Sequence, residues 1–367
     1  MARPRASLST VAGTTTTTEH LRESLSSRSR QNTDLLRSSL NSSNAEFRSG
    51  STTHSSVPSR VAALPTRPRE ATEQAKSASE LAIRPYVFPK DELPIDIDED
   101  DKDNEIQCTQ YVDDIYTYLR HLELTHRPIA NYITKQPHLT LRHREESVDF
   151  QVQLHRHVSV AFKSSLQLET LFLCVSLLDR FLSRKAVTRD KLLLLSVSCF
   201  YVACKFEETY YPTIQQLLEF VPDAGRPEDV LLMERTILNE LRYFLGAPTV
   251  VIFLKRYAKA AMADSPLGMA ARFISEFCLM SLSLSTTYLP SMVAAASIAH
   301  GLRVMDRPPW TATLEKVTGY TYEQLRPCMV EMRDFVKKAP TMKFTTIYKK
   351  YSDSKYLNAA LTAVRKI

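Results

Sequence analysis

The chain holds only seven glycines in 367 residues, and none lies between Gly50 and Gly225. Parallel-sheet nucleotide folds need glycine at their tight strand-to-helix turns. Neither GxGxxG nor GxxxxGK followed by Ser or Thr occurs here. The long glycine-free stretch is instead Leu-rich and punctuated by prolines, the pattern of an all-α protein. Within it LLLLSVSCFYVA, residues 192–203, is apolar nearly all round, which places a helix at the centre of a bundle. That helix then ends abruptly in CKFEETYYP, a lysine and an aromatic followed by two glutamates and two tyrosines.

Bulk properties narrow the function classes. The length suits roughly two domains of ordinary size. Net charge is +6, but the basic residues are scattered without a run of five, so no nucleic-acid groove is indicated. The longest apolar runs fall short of the ~18 residues that span a bilayer, and the N-terminus lacks the apolar core of a signal peptide, so no membrane partner is expected. The six cysteines show no CxxC spacing and mostly sit in apolar stretches, which reads as buried small hydrophobes. His155 and His157 have no cysteine or acidic partner at ligand spacing. No metal and no cofactor is expected, nor any nucleophile–base pair, and the chain reads as a non-enzyme.

Composition shifts set the domain plan. Residues 1–106 form a Ser/Thr-rich leader with an acidic end, 91–105, too poor in apolar side chains to offset its ordering entropy, and are expected to be disordered. An N-terminal helix is expected over 107–126, with Tyr111, Ile115, Tyr118, Leu119 and Leu122 on one stripe. The first bundle, 127–246, carries helices near 142–161, 169–183, 188–208, 213–221 and 227–243. Thr188 serves there as an expected N-cap, with Asp190 in the first turn. The second bundle, 247–350, repeats the count, near 249–262, 267–285, 290–305, 311–318 and 321–338. A C-terminal tail follows over 351–367.

Eight strings in one order carry a resemblance. They are YVDDIYTYLRHLE, RPIANYITKQP, LETLFLCVSLLDRFLS, KLLLLSVSCFYVACKFEETYYP, MERTILNELRYFLGAPT, YLPSMVAAASIAHGL, TGYTYEQLRPCM and YKKYSDSKYLNAA. From about Tyr111 to Ala360 the sequence resembles the cyclins, in particular the mitotic A/B class, with the N-terminal helix and the KFEE string leaning towards A. The resemblance implies tandem five-helix cyclin boxes and a cyclin-dependent protein kinase as partner. It implies that Lys205 and Glu234 hydrogen-bond backbone groups near the kinase's mobile αC helix. Phe206, Val202, Tyr243 and Leu245 match apolar positions of that interface, and Tyr111 and Ile115 match kinase-touching positions of the N-terminal helix. Arg144 and Asp179 match an ion pair that locks the first helix of the box against the second.

Two departures stand out. The family's MRAILVDW-like helix, which lines a docking groove for Arg-x-Leu peptides, falls on HREESVDF, residues 143–150. His143, Glu146 and Ser147 replace apolar positions there and only Phe150 keeps aromatic bulk, which argues against docking. The segment between Leu154 and Glu169 also carries about six extra residues relative to the family, more than one and a half helical turns.

In the leader, RESL (Arg22 to Leu25) and RSSLNSSN (Arg37 to Asn44, with Leu40 in the motif) match the RxxL pattern of destruction boxes. This makes the ubiquitin ligase that degrades mitotic cyclins a further expected partner. No Ser-Pro or Thr-Pro occurs in the leader. The expected location, again by resemblance, is nucleus and cytoplasm. The rival readings are a cyclin-fold scaffold for a non-kinase partner and a cyclin that binds its kinase but cannot dock substrates.

Overall fold

The computed structural model describes residues 96–162, 166–308 and 310–367. The candidate degradation residues Arg22, Leu25, Arg37 and Leu40 lie outside them. Among the described residues the regular structure is helical throughout, and α-helices and short 3-10 turns follow one another with no strand.

An N-terminal helix α1 (Val112–Thr125) precedes a first bundle of five: α2 (Leu141–Ala161), α3 (Leu168–Leu182), α4 (Leu192–Glu207), α5 (Ile214–Phe220) and α6 (Pro227–Glu240). Helix α4 is the central one. Its residues from Leu195 to Cys204 are buried, and α2, α3 and α6 pack around it. The apolar run fixes this arrangement, since a helix without a polar stripe has no face to turn to water. Thr188 makes no capping bond; a 3-10 turn, Arg189–Lys191, leads into α4. Thr213 does cap α5, in a reciprocal box with Gln216.

The second bundle comprises α7 (Val250–Ala260), α8 (Ser265–Cys278), α9 (Leu282–Thr286), α10 (Pro290–Val304), α11 (Ala312–Thr318) and α12 (Tyr322–Val336). Here α10 is central; its small residues Ala294, Ala295, Ala296 and Ala299 are all buried and let α7 and α8 approach closely. The single helix expected over 267–285 is broken. A turn at 279–281 intervenes and Ser281 caps α9 through its hydroxyl.

The stretch expected as a tail is structured. After α13 (Thr346–Tyr351), helix α14 (Ala359–Lys366) buries Ala359, Ala360 and Ala363 in the core of the second bundle. Lys350 and Tyr351 of α13 both donate to Glu276 of α8 at 2.6 Å, in a fully buried cluster.

The expectation of disorder up to residue 106 is corrected over 96–106. Ile97 packs against the second core, and Asp98 accepts from Arg256 (Nη2, 2.7 Å) and Lys259 (2.7 Å) on α7. The physical reason is the burial of Arg256, whose charge requires a carboxylate. Burial alone would raise the Asp98 pKa, but the two cations outweigh it and hold it low.

Helix α1 also differs from its expected stripe. The packed face is Val112, Tyr116, Leu119, Arg120 and Glu123, and it lies on the second bundle. Tyr116 donates to Ile252 O at 3.1 Å and Arg120 to Thr318 O at 3.2 Å. Glu123 accepts from Ser291 N (3.0 Å) and its hydroxyl (2.7 Å), at the start of α10. Tyr111, Ile115 and Tyr118 of the apolar stripe stand in solvent.

Candidate functional site: the face around Lys205 and Glu234

The last turn of α4 brings Lys205 out of the core. Its Nζ lies 2.6 Å from Glu234 Oε1 on α6 and 5.2 Å from the Tyr201 ring centre. The pair is asymmetric, because Lys205 is partly open while Glu234 is buried. Glu234 sits on the inward stripe of α6, with Val230, Ile237 and Leu241. Partial burial works against the lysine's charge, but the Glu234 carboxylate and Tyr201 more than offset it, and its pKa is raised. An ammonium carries three N–H groups, and Glu234 takes one. Donors on the lysine and lone pairs on the carboxylate therefore remain for an outside molecule.

Exposed apolar side chains flank this pair. Phe206 is 51% exposed and Tyr243 65%, although both are large hydrophobic residues. Phe206 lies against the backbone at Gly246, where an added Cβ would stand 3.7 Å from its ring, so α4 and the turn after α6 form one surface. That turn is strained. Arg242 and Tyr243 both adopt left-handed backbone angles, φ 53° and 60°, and Tyr243 N closes it by donating to Leu238 O at 2.8 Å. Non-glycine residues pay steric energy for this conformation. Its result is a tyrosine held out in water.

The remaining expected residues divide. Leu245 is half-buried against the first core, and Val202 is interior at 2% exposure, so it supports α4 and offers no surface. Tyr111 and Ile115 of α1 are exposed at 56% and 41%. The two glutamates of KFEE separate from the lysine in role. Glu208 accepts from Gln167 N at 2.7 Å and from the Thr170 hydroxyl, tying the end of α4 to the start of α3. Glu207 is half-buried, and that burial, with Glu169 nearby, raises its pKa.

Exposed Tyr210, Tyr211, Leu231 and Leu232 also present unusual apolar area and were not assigned from sequence. Leu231 and Leu232 were detectable, since they fall off the Val230, Glu234, Ile237, Leu241 stripe of α6.

Arg144 and Asp179 form a buried ion pair. Arg144 Nε and Nη2 reach the two carboxylate oxygens at 3.1 and 2.8 Å, and Tyr132 donates to Oδ1 at 2.7 Å. Arg144 Nη1 also donates to Leu279 O, at the end of α8, so the pair joins the two bundles as well as α2 to α3. Burial opposes the guanidinium charge, but Asp179 outweighs it and raises the pKa.

The helix 143–150 is polar on its outer side. His143 Nδ1 accepts from Thr140 N at 3.1 Å and Glu146 lies 3.5 Å from Arg142, while Ser147 is buried and its hydroxyl donates to His143 O. Helix α2 continues to Ala161, so most of the longer segment after Leu154 is helical. His155 is buried there, bonded to Gln167 O at 2.9 Å. Five of the six cysteines are buried and only Cys108 is exposed. No cluster of His, Cys, Asp and Glu fit to hold a metal occurs among the described residues, and none of their helices is long and apolar enough to cross a membrane.

Comparison with known proteins gives two family matches, the cyclin N-terminal domain over residues 114–246 and the cyclin C-terminal domain over 248–364. A G2/mitotic-specific cyclin of Glycine max is 37% identical over 266 residues, covering 72% of this chain and 57% of that protein. G2/mitotic-specific cyclin-2 of Medicago sativa is 34% identical over 266 residues, 72% of this chain and 79% of that protein. The chain thus spans less than two thirds of the Glycine max relative's length. Several further relatives carry B-type names. Among solved structures, a viral cyclin from herpesvirus saimiri shares the fold, with TM-score 0.52 and 20% identity over 63% of this chain and 99% of that one.

Proposed function

The chain belongs to the cyclin family, and from that premise we propose that it is the non-catalytic regulatory subunit of a cyclin-dependent protein kinase, acting in G2/M-type cell-cycle control. The observation that carries this reading is the half-satisfied Lys205–Glu234 pair, 2.6 Å apart, with the neighbouring Phe206 and, on the turn after α6, Tyr243 both exposed. A lone surface pair of this kind is worth only about 0–1 kcal/mol. Its polar atoms gain value when a partner's backbone satisfies them in a desolvated interface, with aromatic anchors around them.

The kinase αC helix packs on this face, and Tyr111 and Ile115 of α1 add contact area from the other side of the chain's N-terminal helix. Binding energy available only in the active kinase conformation then shifts the kinase equilibrium, the one way a partner can do so. The kinase's own Lys–Glu ion pair assembles and its activation loop is released. Abundance is set by proteolysis through the RxxL segments at Arg22–Leu25 and Arg37–Leu40, with the ubiquitin ligase of mitotic cyclins as second partner. The working compartments are nucleus and cytoplasm.

A second reading is favoured by one observation, the polar outer side formed by His143 and Glu146: kinase binding is kept while Arg-x-Leu substrate docking is lost. The test of the main reading is the Lys205→Ala, Glu234→Ala double variant against a purified cyclin-dependent kinase. Truncating buried charged partners in an interface costs about 2–5 kcal/mol, a weakening of roughly 30-fold or more. A folded double variant that binds as tightly as the unaltered chain refutes the assigned face.

A further inference from the structure

A second group of cations gathers on helices that contribute nothing to the Lys205 face. A cavity of about 320 Å³ opens between α10 and α12. Its wall holds Arg303, from the last turn of α10, with Arg326 and Arg333 of α12, against the single carboxylate of Glu323. Arg326 and Arg333 stand two helical turns apart and so share a face. Glu323 lies 3.6 Å from Arg326, and Asp334 lies 2.8 Å from Arg333. Arg303 forms no ion pair among the described residues.

The wall also includes His300, only 2% exposed. Its Nε2 is 2.9 Å from Met329 O, and a carbonyl can only accept, so Nε2 carries the proton. Burial, with Arg303 and Arg333 nearby, pushes the ring's pKa down to about 4, and the imidazole is neutral. Nδ1 is then a bare acceptor, buried and without a partner among the described residues. An unpaired buried polar atom is costly, and here it borders a cavity with excess positive charge.

We propose that this cavity binds a phosphate monoester, carried on a phosphorylated serine or threonine of a partner protein. Guanidinium groups pair with phosphate oxygens through two parallel hydrogen bonds, which suits three arginines converging on one cavity. A monoester's second ionisation lies near pH ~6, so it retains a P–OH that donates to His300 Nδ1. Sulfate and phosphodiesters bring charge without that proton and leave Nδ1 unpaired. The cationic wall is local and the chain's other basic residues are scattered, which does not match the repeating phosphates of a nucleic acid. Tyr322 and the exposed Val330 also line the cavity, and give the residues flanking a phosphorylated side chain an apolar rest.

The test is fluorescence anisotropy of the full chain at about pH 6 and constant ionic strength. The probe is a short labelled peptide with phosphothreonine at its centre; the competitors are its unphosphorylated form, inorganic phosphate and sulfate. The expected result is saturable binding of the phosphopeptide, none of the unphosphorylated form, and competition by phosphate well ahead of sulfate. The Arg303→Gln, Arg326→Gln variant changes two exposed side chains, keeps its circular dichroism, and weakens binding about tenfold or more. Sulfate competing as well as phosphate overturns the monoester assignment. Inorganic phosphate binding more tightly than the phosphopeptide overturns the protein source. An affinity unchanged in the double variant removes the site.

Discussion

Replacing Arg144 with methionine tests whether one buried guanidinium holds the two bundles together. Arg144 is among the largest fully buried side chains, and its three bonds go to both oxygens of Asp179 and to Leu279 O. Methionine preserves much of the volume and makes none of these bonds. Asp179 is then left 2% exposed with only the Tyr132 hydroxyl as a side-chain donor, and Leu279 O loses its link to α2. Removing one member of a buried pair costs about 3–5 kcal/mol, most of it from the charge left behind. Tyr132→Phe removes a single bond while Arg144 still neutralises Asp179, so its cost is expected near 1–2 kcal/mol, in the range of a hydrogen bond to a charged group. Arg144→Met with Asp179→Leu removes both charges together and recovers a large part of the loss. The assay is urea unfolding of the full chain followed by far-ultraviolet circular dichroism. Arg144→Met is expected to lower the midpoint and to separate the transition into two steps, because the bond to Leu279 crosses between bundles. A loss below about 1 kcal/mol, or a double variant as unstable as the sum of the singles, refutes the reasoning.

Two further outcomes follow. Burial holds His155 and His300 at pKa about 4 in the folded chain against 6.5 unfolded. A depressed histidine leaves stability intact above pH 6.5 and lowers it as pH falls towards 4, by about 2 kcal/mol per group at pH ~5. Thermal melts between these limits check this, and His155→Gln is expected to flatten the slope; an unchanged slope contradicts it. For the polar helix, an Arg-x-Leu peptide is expected to bind unmeasurably. His143→Met and Glu146→Ile together are expected to create binding, since burying one leucine is worth about 1.5–3 kcal/mol; calorimetry reads both.

The two-bundle plan was legible because it rests on local patterning. The all-apolar run in α4 and the small-residue helix α10 have only one place to go, and the KFEETYYP ending marks where α4 leaves the core. Lys205, Glu234, Phe206 and Tyr243 stand in the matched strings; in the structure Lys205 meets Glu234, Phe206 lies against Gly246, and Tyr243 is exposed on the turn before it. What sequence missed depends on long-range pairing. The acidic stretch at Asp98 looked like solvent-facing charge because Arg256, its partner, lies 158 residues away. On helix α1 the sequence pattern shows the apolar stripe, but the structure also buries Arg120 and Glu123, which pair with each other at 3.2 Å and are bonded to Thr318 O and Ser291. Val202 matched an interface position but is buried, since the inward side of α4 claims it. The C-terminal helix α14 is only eight residues long, and its buried face of Ala359, Ala360 and Ala363 gains its place from the distant helix α8 that it packs on.

The central claim, that the face around Lys205 recruits and activates a cyclin-dependent kinase, is tested most directly by titrating the full chain into a purified monomeric kinase and measuring phosphorylation of histone. Saturable activation is expected, which the Lys205→Ala, Glu234→Ala variant reaches only at far higher concentration. A kinase that stays inactive at saturating chain, with no complex by size-exclusion chromatography, contradicts it.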